Sequence, residues 1–413
     1  VTDSSASATV RIEPIQPQPA PPITRHPIAG DHSSVAKGRL PVMPRTLLAE
    51  HRQHLPVGEP LPFDVFDADG RLLLARGQRV QSHAQLDSLI RRDAWVDLAP
   101  TDSVPDAHAR AAGRVRAWED AVARTRGVLA GPVALGFDQM LDGAAQPLVA
   151  LVERDPDLAI FGMVRPDADS GADYASSHAI HAALAAYLAA QRLNWSPCDR
   201  WRAFRAALTM NLSMVTLQNQ LAAQADPVTP TQRIEIRSHP DRSADLLADA
   251  GITDADWLRA VRDHHEYGAA RGGYPRGVDG VGELALLVQR ADVFTAKFAG
   301  RRNRHAMASD QAARTQFARD RDSPVSAALI KEFGLYPPGT GVRLMSGEVG
   351  LVIQRGPTAA TPVVAVVADG CGRQVPRPTL RDTGAAAHAV AQTLPTHELP
   401  LRLPLASLLV LAD

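Results

Sequence analysis

Apolar residues recur at helical spacing through the middle of the chain. Met140, Leu141, Leu148, Leu151 and Val152 form one stripe, Leu184 and Leu188 continue another, and Trp257, Leu258 and Val261 make a third. This period turns one face of a helix toward a core. It predicts helices over His108–Leu129, Phe137–Arg154, Asp157–Val164, from Ser177 through Leu188, and over Trp201–Ala223, with the chain remaining helical to about Phe333. The two ends read differently. Between Leu55 and Leu98, two short apolar runs flank Asp69-Gly70, a hairpin signal. Ser82 then reads as the N-cap of a helix carrying Leu86, Leu89 and Ile90, and Trp95-Val96 returns as a strand. From Leu335 the sequence turns to Gly, Val and Pro in short runs that read as strands and turns, and the apolar, Pro-broken stretch from Leu394 to Asp413 is expected to pack across a neighbouring surface.

The expected organisation is a disordered Pro-rich tail over 1–50, a small α/β module over 51–101, a polar linker at Asp102–Ala107, a helical domain over 108–335 and a β extension over 336–413. The fold class is mainly α. At 413 residues, with 45% hydrophobic and 22% charged positions, the chain is globular and long enough for two or three cores. A formal net charge of −1 gives no basis for binding a nucleic-acid polymer or an anionic membrane. Cys198 and Cys371 are too few for a disulfide framework or a thiolate cage, no apolar run reaches membrane-spanning length, and the expected setting is the cytoplasm.

The candidate chemistry lies between Asp263 and Arg276, in Asp-His-His-Glu-Tyr-Gly-Ala-Ala-Arg-Gly-Gly-Tyr-Pro-Arg. His264 and His265 would point about 100° apart on a helix, so both can face one centre only near a helix end. Imidazole is a common metal ligand, although a polar helix end with two solvated histidines fits the doublet alone equally well. Gly272 and Gly273 permit close backbone approach, and Pro275 stiffens the exit.

Together these segments resemble the HD-GYP family of the HD phosphohydrolase superfamily, whose active members hydrolyse cyclic di-GMP. The resemblance runs from about Phe137 to Gly370, and is carried in order by His178, His239-Pro240, His264, His265, Gly273-Tyr274-Pro275 and Asp292. It implies an HD-GYP-like helical bundle with the two small terminal modules attached. It also implies His178, His239, His264, His265 and Asp292 as ligands of a divalent metal (Fe, Mn or Zn), and a ligand-binding loop of Arg271, Gly273, Tyr274, Pro275 and Arg276. Arg301-Arg302-Asn303-Arg304 stands where the family often has Arg-Pro-Tyr-Arg, and reads first as a solvated loop, with contact to a phosphate or an acidic partner surface as the alternative.

The name-giving His-Asp pair is replaced. Ala207-Leu208-Thr209-Met210-Asn211-Leu212-Ser213-Met214 puts a thioether and an amide at the pair, and Met214 at the family's lysine. A hard cation there loses a nitrogen ligand and a bridging charge, so metal occupancy is expected to be reduced and the catalytic groups are left unassigned. The favoured expectation is a degenerate HD-GYP module of cyclic di-GMP signalling that binds the nucleotide or a partner, such as a GGDEF-type signalling protein. The alternative is an active phosphodiesterase with a reduced metal site, to which Asn211 lends a weak amide oxygen.

Overall fold

Helix starts follow the caps written in the sequence. Ser82, Ser196, Thr229, Asp254 and Ser323 each accept a backbone N–H of the turn that follows, satisfying donors that a helix cannot pair internally. Thr229 and Gln232 form a reciprocal capping box. The computed structural model describes residues 45–49, 57, 58, 60, 61, 63–97, 104–165, 173–266, 280–298, 307–395, 399, 410 and 411.

The first module contains β1 (Arg45–Leu47), β2 (Val65–Phe66), β3 (Leu72–Leu74), α1 (His83–Ile90) and β4 (Trp95–Asp97). Its antiparallel sheet has the order β1-β4-β2-β3, with the expected hairpin joining β2 and β3. Leu48, Val65, Leu86 and Val96 build its core.

The helical part comprises α2 (Val104–Leu129), α3 (Phe137–Arg154), α4 (Pro156–Val164), α5 (Tyr174–Arg192), α6 (Pro197–Thr209), α7 (Val215–Ala223), α8 (Pro230–Asp249), α9 (Ala255–Asp263), α10 (Glu283–Thr295), α11 (Ser309–Arg319) and α12 (Pro324–Phe333). Helix α5 is the axis, with Tyr174 through Ile180 and Ala182 through Ala190 all buried. Its alanines let α2, α6, α10 and α12 approach closely, and large side chains such as Phe204, Trp257, Phe294 and Phe333 fill the space between them. Among the described residues no helix is long and apolar enough to cross a membrane.

The last module holds β5 (Gly341–Leu344), β6 (Val349–Gln354), β7 (Val363–Ala368), β8 (Gln374–Asp382) and β9 (Val390–Leu394), an antiparallel sheet of order β8-β7-β6-β5-β9. It is joined to the helices by Phe161, which packs with Leu351, Ile353 and Ala365, and by Arg355, which donates to Asp157 and Glu332.

Three local expectations change. Arg45–Leu47 is a strand paired with β4 rather than part of a tail, because Thr46 and Leu47 find open partners in Val96 and Trp95. Helix α2 begins at Val104, inside the expected linker. The single helix expected over Trp201–Ala223 breaks after Thr209 into a 3₁₀ turn, Leu212–Met214, before α7 resumes. Residues 1–44, the loop carrying Arg271, Gly273, Tyr274, Pro275 and Arg276, the basic run Arg301–Arg304 and most of the C-terminal stretch lie outside the described residues. Leu399, Val410 and Leu411 of that stretch do pack on buried apolar clusters.

Candidate functional site

Helix α9 carries one buried stripe, Trp257, Ala260 and Val261, and His264 is its next position, seven residues beyond Trp257. That spacing drives the His264 imidazole inward, to 0% exposure. The helix ends at Asp263, and the departing chain swings His265 alongside, with ring centroids 4.1 Å apart. The doublet therefore faces one centre because the helix stops there. Gln289 of α10 donates to the Glu266 carbonyl (3.0 Å) and fixes the turn that follows.

His239 arrives from α8, and the next residue, Pro240, shapes its position. Proline has no N–H to give the Ile236 carbonyl four residues earlier, and the His239 ring donates there from Nδ1 instead (2.6 Å). His264 Nδ1 donates in the same way to the Val261 carbonyl (2.6 Å), in the last turn of α9. A carbonyl only accepts, so both rings carry the proton on Nδ1 and present a lone pair on Nε2.

Those two Nε2 atoms face each other at 3.2 Å. Nitrogen atoms of His239, His264 and His265 all lie within 4.8 Å of one another. Two opposed lone pairs repel unless a proton or a cation stands between them. Burial, with the neighbouring His265, pushes His239 down to about 4, and burial with His265 and His239 pushes His264 well below its ordinary value. Burial also lowers His265, against the pull of Asp292 and Glu266. Near neutral pH the proton is thus excluded, and a metal cation fits. Ligand nitrogens at about 2.0–2.1 Å from one ion stand about 2.9–3.4 Å apart, which matches the observed separation.

Asp292 and His178 complete the neighbourhood. Asp292 lies on α10 among buried Val288, Ala291 and Thr295, and the His178 Nε2–H donates to its Oδ1 at 2.7 Å. Burial would raise this carboxyl, but the hydrogen bond and charge of His178, with His265 and His264, outweigh burial and hold it well below the usual range. His178 lies in the second turn of α5, not at a helix start, is 2% exposed and stacks on Tyr174. Its Nδ1 is buried with no hydrogen-bond partner.

Met210 and Met214 are buried packing residues, at 0% and 8% exposure, and Asn211 lies buried between them. The intervening turn serves the site through its backbone and serines. Ser213 donates from its hydroxyl to the His239 carbonyl (3.0 Å), and its N–H donates to Ser243 Oγ (3.1 Å). Thr209 accepts from the Trp257 indole (2.9 Å), tying α6 to α9. These links were not drawn from the sequence. His181 was missed as well; half-buried one turn beyond His178, it is pushed down to about 3 by burial, with His178 and Arg126 adding to the effect. Its three-residue spacing from His178 was the available signal.

Histidines drawn in order from α5, α8 and the end of α9, with a half-buried aspartate on α10, stand in the order that the HD-GYP resemblance implies. The chain is 29% identical over 222 residues to the cyclic di-GMP phosphodiesterase PA4108 of Pseudomonas aeruginosa, a match covering 52% of this chain and 53% of that protein. The chain spans about half the length of this curated relative. The solved structure of Bd1817, an HDG"Y"P protein from Bdellovibrio bacteriovorus, aligns with a TM-score of 0.44 and 15% identity, covering 67% of this chain and 95% of that one. No protein-family model matches the chain.

Proposed function

We propose that this chain is a cyclic di-GMP signalling protein that binds the nucleotide at a cation held by its histidines and does not hydrolyse it. The observation carrying this reading is the asymmetry of the site. Three imidazoles are gathered, two of them with Nε2 lone pairs facing each other, while Met210 and Asn211 supply neither an imidazole nor a negative charge.

A divalent cation bound there would polarise a phosphodiester oxygen and acidify a bound water. His239 and His264 hold their Nε2 lone pairs toward it, oriented by the Ile236 and Val261 carbonyls. Asp292 keeps its charge beside them and offsets part of the cation's. Hydrolysis also needs a group to take the water's proton and a second centre of positive charge at the phosphate. The Met210–Met214 turn offers neither, since a thioether and an amide do not accept a proton near neutral pH. The sequence Arg271, Gly273, Tyr274, Pro275, Arg276 supplies two guanidinium groups and one flat ring suited to phosphate and guanine.

Calorimetric titration of the cation-loaded chain with cyclic di-GMP tests the reading. We expect saturable binding, weakened about ten-fold or more by Arg271→Ala or Arg276→Ala, since one charge-assisted contact contributes ~1.5–3 kcal/mol. Absence of binding with the cation present defeats the nucleotide role. The loop's function would then pass to protein contact, read as loss of a GGDEF-type partner on Tyr274→Ala.

A further inference from the structure

The donor groups of the site divide into two sets that the fold treats differently. His239, His264 and His265 bring nitrogen atoms within 4.8 Å of one another, and Asp292 and His178 lie outside that group. They are instead committed to each other, the imidazole donating to the carboxylate at 2.7 Å. The bond occupies the His178 nitrogen that faces Asp292, so that nitrogen has no lone pair to offer a metal while the bond stands. The imidazole and carboxylate that the HD-GYP resemblance would place at Met210 and Asn211, as ligands of a second ion, are absent, and the Met210 side chain is fully buried in the core.

We propose that this chain holds one divalent cation, at His239, His264 and His265, and that the His178–Asp292 hydrogen bond takes the place of a second ion. The inference rests on the cation-binding reading above and sharpens it to a stoichiometry. A carboxylate half-buried among apolar side chains, as Asp292 is, needs a compensating donor. Where a second metal is lost, the neighbouring imidazole supplies that donor with a proton. A site of three neutral imidazoles with further positions open suits zinc or cobalt. One cation can anchor a phosphate oxygen, but charge developing on the leaving oxygen has no second metal to meet it.

The test is a Co²⁺ titration of the full chain, stripped beforehand with chelator and followed by visible absorption and by metal analysis after gel filtration. We expect the signal to break at one equivalent. His264→Ala should lose the bound cobalt, and His178→Ala should still bind one equivalent. Circular dichroism on both variants checks folding, and His265→Gln serves as the substitute if His264→Ala unfolds. A break at two equivalents, loss of the single equivalent in His178→Ala, or no uptake by the parent each overturns the inference. Cyclic di-GMP calorimetry on the same samples keeps the two readings separate. One equivalent of cobalt without nucleotide binding defeats the signalling reading and leaves the stoichiometry standing, whereas two equivalents with nucleotide binding does the reverse.

Discussion

The two walls of the site are buried to a similar degree but are built from opposite materials. On one side, His239 and His264 are 2% and 0% exposed, and their polar rings are kept in the interior by carbonyls placed three residues upstream. On the other side, in the turn tied to His239 by Ser213, Met210, Asn211 and Met214 are buried to a similar degree with side chains that contribute packing. Burying an imidazole costs free energy unless its nitrogens find partners, whereas a methionine at such a position is stabilising. The facing Nε2 lone pairs of His239 and His264 therefore carry a cost that a bound cation would offset, and the methionines carry none.

Substitutions on each wall should separate in the same way. Met210→Ala removes a fully buried side chain and should destabilise the fold by ~2–5 kcal/mol, read by denaturant unfolding, while cobalt affinity stays within a few-fold. A comparable loss of affinity would erase the division between the walls.

Acid should act on the histidine wall and leave the methionine wall untouched. His239 titrates near 4 in the folded chain against about 6.5 when unfolded. A lowered folded pKa means that the unfolded chain takes up the proton first. Cation-free protein should thus keep its full stability above about pH 6.5 and lose ~3 kcal/mol for this ring alone as the pH falls toward 4. Asp292 adds nothing in that window, because a depressed carboxyl loses its contribution only below about pH 4. Urea midpoints at pH 7 and pH 5 check this, and equal midpoints would contradict the burial of neutral rings.

Asp292→Asn removes the charge beside the imidazoles and leaves their nitrogens in place. Cobalt affinity should fall about 10–100-fold, the range for groups just outside a metal's ligands, as measured by chelator competition. Restoring Met210→His with Asn211→Asp should add a second cobalt equivalent, and uptake unchanged at one would show that these positions do not face the cation. The smallest effect is expected at Ser213→Ala, where loss of the donor to the His239 carbonyl should cost ~0.5–1.5 kcal/mol in stability.

The helical body was legible because its apolar period is long, and caps such as Ser82 marked element starts. The histidines were legible as an ordered series through the family resemblance, whereas the doublet alone left a solvated helix end equally open, and its burial follows from α9 stopping at Asp263. The break after Thr209 was not legible. Its sequence keeps a helical period through Met210, Met214 and Leu217, and the break depends on Ser243 of α8 receiving the Ser213 N–H, a contact between residues 30 apart. The His178–Asp292 bond was hidden for the same reason, since it joins positions 114 apart that only packing of α5 on α10 brings together. The strand at Arg45–Leu47 is held by β4, fifty residues away, and nothing in three residues of local sequence announces such a partner.

The central claim is recognition without cleavage, and ³¹P NMR of cyclic di-GMP mixed with the zinc-loaded chain reads both parts at once. The account predicts that the phosphodiester resonance shifts or broadens in proportion to added protein and that no phosphomonoester resonance grows in over hours. A monoester signal accumulating beyond one equivalent would contradict it, as would a diester resonance that the protein leaves unmoved.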